Sequence, residues 1–320
     1  MFNRNSISSW FVLLTLILVF SAGTVTVNAQ EAEINEDISI DFGHVQWPGV
    51  TVKTHVARII TEYLGYDTSM TSGGQQVIFK GMEQKDLDVF LGNWLPTMEV
   101  TFREFEEKGS VKNVRRNLID AVYKTAVNKA AYEGGVRSFE DLAEHAEKFD
   151  NKIYGLEPGN DGNIKIQDAI DENMYDLGDW KLVESSTAGM LSEVKGHVER
   201  EEWIAFNAWK PHYMNELYDI YYLEDPEGLW PEGSNVYTTV RTGFEEEAPN
   251  YYKFLEQFTV PTPIQNSWIN EYQNKDRPPE EVAEEWIANN LDIVDQWVFG
   301  VQSVDGRMGR KVIREKVENQ

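Results

Sequence analysis

Three tryptophans in this chain are placed where side chains can do chemistry. Trp47, Trp94 and Trp209 are each followed within two residues by proline, in Trp47-Pro48, Trp94-Leu95-Pro96 and Trp209-Lys210-Pro211. Each stands at the end of a segment that reads as a strand: Ile38, Ile40 and Phe42 alternate before Trp47, residues 87–91 run apolar before Trp94, and residues 203–206 precede Trp209. Gly92 and Asn93 are expected to end the second of these. In open α/β sheets, ligands sit outside the carboxyl ends of the strands. Sugars stack on aromatic rings there. Quaternary ammonium ions do so more strongly, because they have no N–H to satisfy and present only charge and methyl groups. One tryptophan in such a place most often caps the core. Three in similar context point to a binding site.

The elements that must position these rings alternate between strand and helix. After Trp47, the residues Val52, Val56, Ile59, Ile60 and Tyr63 fall on one helical face, and Gly65 closes it. Residues 75–84 read as a helix leading into the strand before Trp94, and 98–108 as a charged helix after it. The run 119–128 reads as a strand crossing between domains, and 235–241 as a β segment returning the chain. Between them come an amphipathic helix over 138–149, a strand over 152–156, a helix from about 164 to 172, a short strand at 182–183 and a helix over 188–198. Residues 279–299 read as one long helix. Trp268, Trp286 and Trp297 sit on or beside such helical positions and read as packing. The class is therefore α/β with largely parallel sheets.

The turn Glu157-Pro158-Gly159-Asn160-Asp161-Gly162-Asn163 opens a helix and so offers free backbone N–H groups at the positive end of a dipole. Gly159, Asn160 and Asp161 are its candidate oxygen-binding residues. The plainer alternative is a tight turn in which Asn or Asp caps the helix. The glycine spacing is not that of a dinucleotide fingerprint, and no Gly-Lys-Ser/Thr follows, so no nucleotide cofactor is expected.

Residues 1–29 read as a secretory signal peptide: Arg4, an apolar run over 10–20, and Val27-Asn28-Ala29 before the cleavage site. The remainder keeps all 54 acidic residues but loses Arg4 from the 29 basic ones, leaving a net charge of −26. Nucleic acid is a poor partner for that surface and a cation a natural one, although solubility alone accounts for the charge equally well. No cysteine is present, which excludes disulfides, thiol catalysis and a lipid-anchoring cysteine. The address implied is a periplasm. The five histidines, at 44, 55, 145, 197 and 212, show no metal spacing, and His212 reads as structural.

Taken together, Trp47-Pro48-Gly49-Val50, Asp88-Val89-Phe90-Leu91-Gly92-Asn93-Trp94-Leu95-Pro96-Thr97-Met98 and Ile153-Tyr154-Gly155-Leu156-Glu157-Pro158-Gly159-Asn160-Asp161-Gly162-Asn163 resemble the substrate-binding proteins of glycine betaine/choline ABC importers. Val183-Glu184-Ser185-Ser186, Gly189-Met190-Leu191 and Trp209-Lys210-Pro211-His212 extend the resemblance over nearly the whole chain after residue 29, most closely to the choline-binding branch. The resemblance implies a two-lobed periplasmic binding protein, a type II clamshell with two hinge strands. Its lobes would comprise residues 30–124 plus 235–320, and residues 125–234. It implies an aromatic box of Trp47, Trp94, Tyr123 and Trp209 around the ammonium, with Asn160 meeting the ligand's oxygen end. It further implies a monomer that delivers ligand to a permease and an ATPase, as in osmoprotection. Choline binders carry an aspartate two residues after the first box tryptophan, where this chain has Gly49, which leans toward glycine betaine or carnitine.

Two other functions compete. One is a sugar-binding protein of the same architecture. The other is a secreted glycoside hydrolase using paired carboxylates, although Glu245-Glu246-Glu247 reads as a solvated run and no Gly-x-Ser-x-Gly or His-Glu-x-x-His motif supports an enzyme.

Overall fold

A computed structural model describes residues 38–319; the signal peptide expected over 1–29 lies outside them. The strands are β1 (Ser39–His44), β2 (Asp67–Ser72), β3 (Val89–Leu95), β4 (Val111–Asn128), β5 (Lys152–Tyr154), β6 (Lys181–Val183), β7 (Ala205–Lys210), β8 (Ile220–Tyr222) and β9 (Ser234–Arg241). Helices α1 (Pro48–Tyr63), α2 (Gln75–Gln84) and α3 (Glu99–Glu107) connect the first four.

Local chemistry explains the first crossover. Ile40 and Phe42 of β1 point into the core, and Pro48 sits in the first turn of α1, where its missing N–H costs nothing. Beyond α1, Gly65 takes φ +96°, a conformation open to glycine, and turns the chain into β2.

The strand order is β2-β1-β3-β9-β4-β7-β5-β6, with β8 also on β4. The sheets are less parallel than the alternation of elements suggests. β1 pairs in parallel with β2 and β3, and β5 with β6 and β7, but the centre is antiparallel, with β9 between β3 and β4, and β7 and β8 on the far part of β4. The reason is the crossing itself. β4 runs outward from one half and β9 runs back, so the strands at the junction oppose each other. β4 is long enough to serve both halves: Val111 to Ala121 pair with β9, and Val122 to Val127 with β7.

Several boundaries differ from expectation. Gly92 and Asn93 do not end β3. The register shifts between Phe90 and Asn93, and pairing with β9 resumes through Leu95, so Trp94 lies within the strand. Trp209 likewise lies inside β7, opposite Tyr123. The segment 138–149 forms two 3-10 helices, Phe139–Asp141 and Ala143–Phe149, with Phe139 and Leu142 buried. The helix after β5 starts at Asp161, three residues early, because Asn160 caps it by accepting a hydrogen bond from the Gly162 N–H. The long helix of residues 279–299 breaks at Asn290 into Pro279–Asn289 and Leu291–Trp297.

Candidate ligand-binding site

Trp47 bridges β1 and α1, and its indole Nε1 donates to Glu157 Oε1 at 3.0 Å. Trp94 comes from β3, Tyr123 from β4 and Trp209 from β7. The Tyr123 ring stands edge-on to both neighbours, with centroids 6.3 Å from Trp94 and 6.0 Å from Trp209. Its hydroxyl donates to Asn160 Oδ1 at 2.9 Å, the same oxygen that caps the following helix. Burial, together with the nearby carboxylates of Glu157 and Asp161, pushes that phenol well above its ordinary range, so it stays neutral.

These four rings line one cavity, with Asn160 and Asp161 in its wall. Its empty space, counting what is open to solvent at the mouth, is about 460 Å³. The structure thus brings together six of the seven residues singled out by sequence. Gly159 is the exception: it is exposed at the turn with φ +80° and does not line the cavity. Hydrogen bonds tie the two sides of the cleft. Besides Trp47 to Glu157, Thr101 Oγ1 donates to Asp161 Oδ1 at 2.7 Å. Burial raises the Asp161 carboxyl above the usual range, and the Thr101 bond pulls against it.

Sequence reasoning missed other wall residues: Gln75, Thr97, Met98 and Gln265. Gln75 opens α2 after Gly73-Gly74, a faint signal; Gln265 has none, because its helix Thr262–Ile269 reaches the cavity through the fold alone. Of the residues that brace the rings from behind, Trp230 was also missed, whereas His212 reads as structural in the sequence alone. Trp230 packs on Tyr123 at 5.1 Å and donates from Nε1 to Thr125 Oγ1 at 3.2 Å. His212 lies under Trp209 at 4.7 Å and is held neutral by burial, which lowers its pKa to about 3. No Lys, Arg or His lines the cavity, whose one carboxylate is Asp161. Aromatic faces and a buried carboxylate in one pocket suit positive charge.

Fold and site define a two-lobed substrate-binding protein of the type II periplasmic class. Residues 38–289 match the OpuAC family, the substrate-binding domain of ABC-type glycine betaine transport systems, and the chain belongs to that family. It is similar to an ABC-transporter choline-binding protein solved in complex with choline, with TM-score 0.85 and 36% identity over 87% of this chain and 98% of the other. It is similar also to lactococcal OpuAC in its closed-liganded conformation with glycine betaine, with TM-score 0.74 and 30% identity over 82% and 99%. The glycine betaine/carnitine transport binding protein GbuC of Listeria monocytogenes is 33% identical over 160 residues, 50% of this chain and 53% of GbuC. The family works as the substrate-binding component of ABC importers, which pairs it with a small ligand, a permease and an ATPase. Among the described residues no helix is long and apolar enough to cross a membrane.

Proposed function

We propose that this protein captures quaternary ammonium compounds, among them choline, glycine betaine and carnitine, for an ABC importer. The trimethylammonium group would be held by Trp47, Trp94, Tyr123 and Trp209. The observation that carries this reading is the hollow between four rings from four separate segments, with a carboxylate and no basic group in its wall. A methylated cation exploits such a hollow, because each desolvated cation–π contact contributes on the order of 1–2 kcal/mol.

The rest of the reading follows from that role. The protein binds its ligand without turning it over and acts as an exported periplasmic monomer, cleaved near Ala29. The lobes comprise residues 30–124 with 235–320, and 125–234, with β4 and β9 as the hinge strands that let them close. Asn160 and Asp161 face the ligand's oxygen end.

Tryptophan fluorescence titrations against choline, glycine betaine, carnitine and maltose test this. Saturable change with at least one amine and none with maltose is expected. A response to maltose alone would establish the sugar-binding alternative. Steady conversion of the amine, followed by NMR, would establish an enzyme.

A further inference from the structure

The pocket has a second wall made of polar groups without partners. Gln75, Thr97, Asp161 and Gln265 line it, and all are at most 4% exposed. Both amide atoms of Gln75, Thr97 Oγ1, Asp161 Oδ2 and Gln265 Oε1 complete no hydrogen bond. Gln75 comes near enough to lower the Asp161 carboxyl against its burial, yet the contact falls short of a full bond. Buried polar atoms left unpaired are costly. Five of them around one cavity mark where a ligand's polar end is received. Asn160 is less available for that task, since its Oδ1 already accepts from Tyr123 and Gly162 and its Nδ2 donates to Glu157 at 3.3 Å.

Gly49 explains how Gln265 gets there. A Cβ built on Gly49 would lie 2.5 Å from Gln265 Nε2 and 3.1 Å from its Cδ. The amide fills the space that a side chain at 49 would take. The π-helical turn Asn270–Asn274 directly follows the helix bearing Gln265, and an irregularity of this kind often accompanies functional residues.

We propose that Gln265 and Gln75 are specificity-determining residues that read the ligand's oxygen end, with Gly49 kept free of a side chain to admit Gln265, and that this end is a neutral hydroxyl and not a carboxylate. This deepens the quaternary ammonium reading and rests on it. The argument is one of matching. Asp161 Oδ2 needs a donor, and a hydroxyl gives one while accepting from a glutamine amide. A carboxylate satisfies the glutamines but brings a second negative charge against the buried Asp161. This reverses the lean toward betaines read from Gly49 in isolation.

The test is calorimetric titration of the protein with tetramethylammonium, choline and glycine betaine. Tetramethylammonium has the charged head and no oxygen end. Wild type is expected to bind choline more tightly than glycine betaine. Gln265→Leu should weaken choline roughly tenfold, the loss of about one hydrogen bond to a buried group, and leave tetramethylammonium within about twofold. Gln75→Leu should act alike. Gly49→Ala should reproduce the choline defect by displacing Gln265, and should add little in a Gln265→Ala background. Gln265→Glu, which keeps the shape, should disfavour glycine betaine further. The proposal is overturned if choline and tetramethylammonium weaken together, if Gly49→Ala and Gln265→Ala effects add in full, or if wild type prefers glycine betaine. Absence of tetramethylammonium binding to wild type would instead overturn the aromatic box, and with it the reading beneath.

Discussion

The protein holds two clusters of tryptophan that are nearly equal in burial and differently arranged. Trp268 and Trp297 are 1% and 3% exposed; Trp94 and Trp209 are 6% and 7%. In the first cluster the rings fill the space between them. Trp286 lies 4.9 Å from Trp268 and 5.4 Å from Trp297, which meets Phe258 at 4.7 Å. In the second, Tyr123 keeps about 6 Å from the rings on either side, and a cavity remains. Burial does not separate rings that line the cavity from rings that pack the core. What sets the second cluster apart is the cavity its rings line. Trp47 is held by Glu157, Tyr123 by Asn160 and Trp230, and Trp209 by His212; Asn160 stands in the cavity wall and the other three outside it. The cage proposed above would have to be rigid while empty, a need that these supports would serve.

The sharpest way to break this comparison is to truncate a ring in each cluster. Trp268→Ala should lower the unfolding free energy by about 3–5 kcal/mol, as expected for a large cavity in a filled core, and leave the affinity of the folded fraction unchanged. Chemical denaturation with a parallel ligand titration checks both halves. If affinity falls as well, the packing cluster is coupled to the site and the contrast fails.

An effect of about 2 kcal/mol is expected from acid. His212 has a pKa near 3 when folded and an ordinary value near 6.5 when unfolded. Below pH 6.5 the unfolded chain takes up a proton that the folded protein refuses, so stability falls as pH drops toward 3 and is fully present above 6.5. By pH 5 the share due to His212 is about 2 kcal/mol. His212→Asn should remove that share from the pH dependence of unfolding. Superimposable curves for the two proteins would show that the support under Trp209 is not a buried neutral histidine.

Within the site, Trp94→Ala and Trp209→Ala should each weaken a quaternary amine by roughly tenfold or more, about 1–2 kcal/mol. Unchanged affinity for either places the box elsewhere. The smallest effect is expected from Glu157→Leu, which removes the acceptor for the Trp47 indole. It should loosen that ring and cost about 1 kcal/mol of binding, seen as a several-fold rise in dissociation constant. No change would mean that Trp47 keeps its place without its brace.

The three tryptophans of the aromatic wall were legible in the sequence because proline marks each of them and the flanking runs are apolar enough to read as strands; Tyr123 came only through the family resemblance. The polar wall was not. Gln75 and Gln265 lie on separate helices far apart in the chain, and a glutamine has no motif of its own. β2 also escaped notice: Asp-Thr-Ser-Met-Thr-Ser is polar and largely exposed at the sheet edge, without the alternation that betrays a half-buried strand. The first part of β4 was hidden by Lys112, Asn113, Arg115, Arg116 and Asn117, charges and amides that the twisting junction with β9 accommodates. The break at Asn290 left the apolar spacing of the long helix intact, so periodicity could not show it.

The position of β9 between β3 and β4 sets the order in which a growing chain is able to fold. β3 ends at Leu95 and β9 does not begin until Ser234, so through most of synthesis the first sheet lacks its middle strand. The strands β5, β6 and β7 fall inside that interval and need only the far part of β4, from Val122 onward. The half delivered in the middle of the chain is therefore complete while the half that began first still presents two open strand edges, the exposed state from which chains stick to one another. Chains halted before Ser234 should yield a folded second sheet joined to an aggregation-prone first one, and the arrival of eight residues, Ser234–Arg241, closes both edges at once.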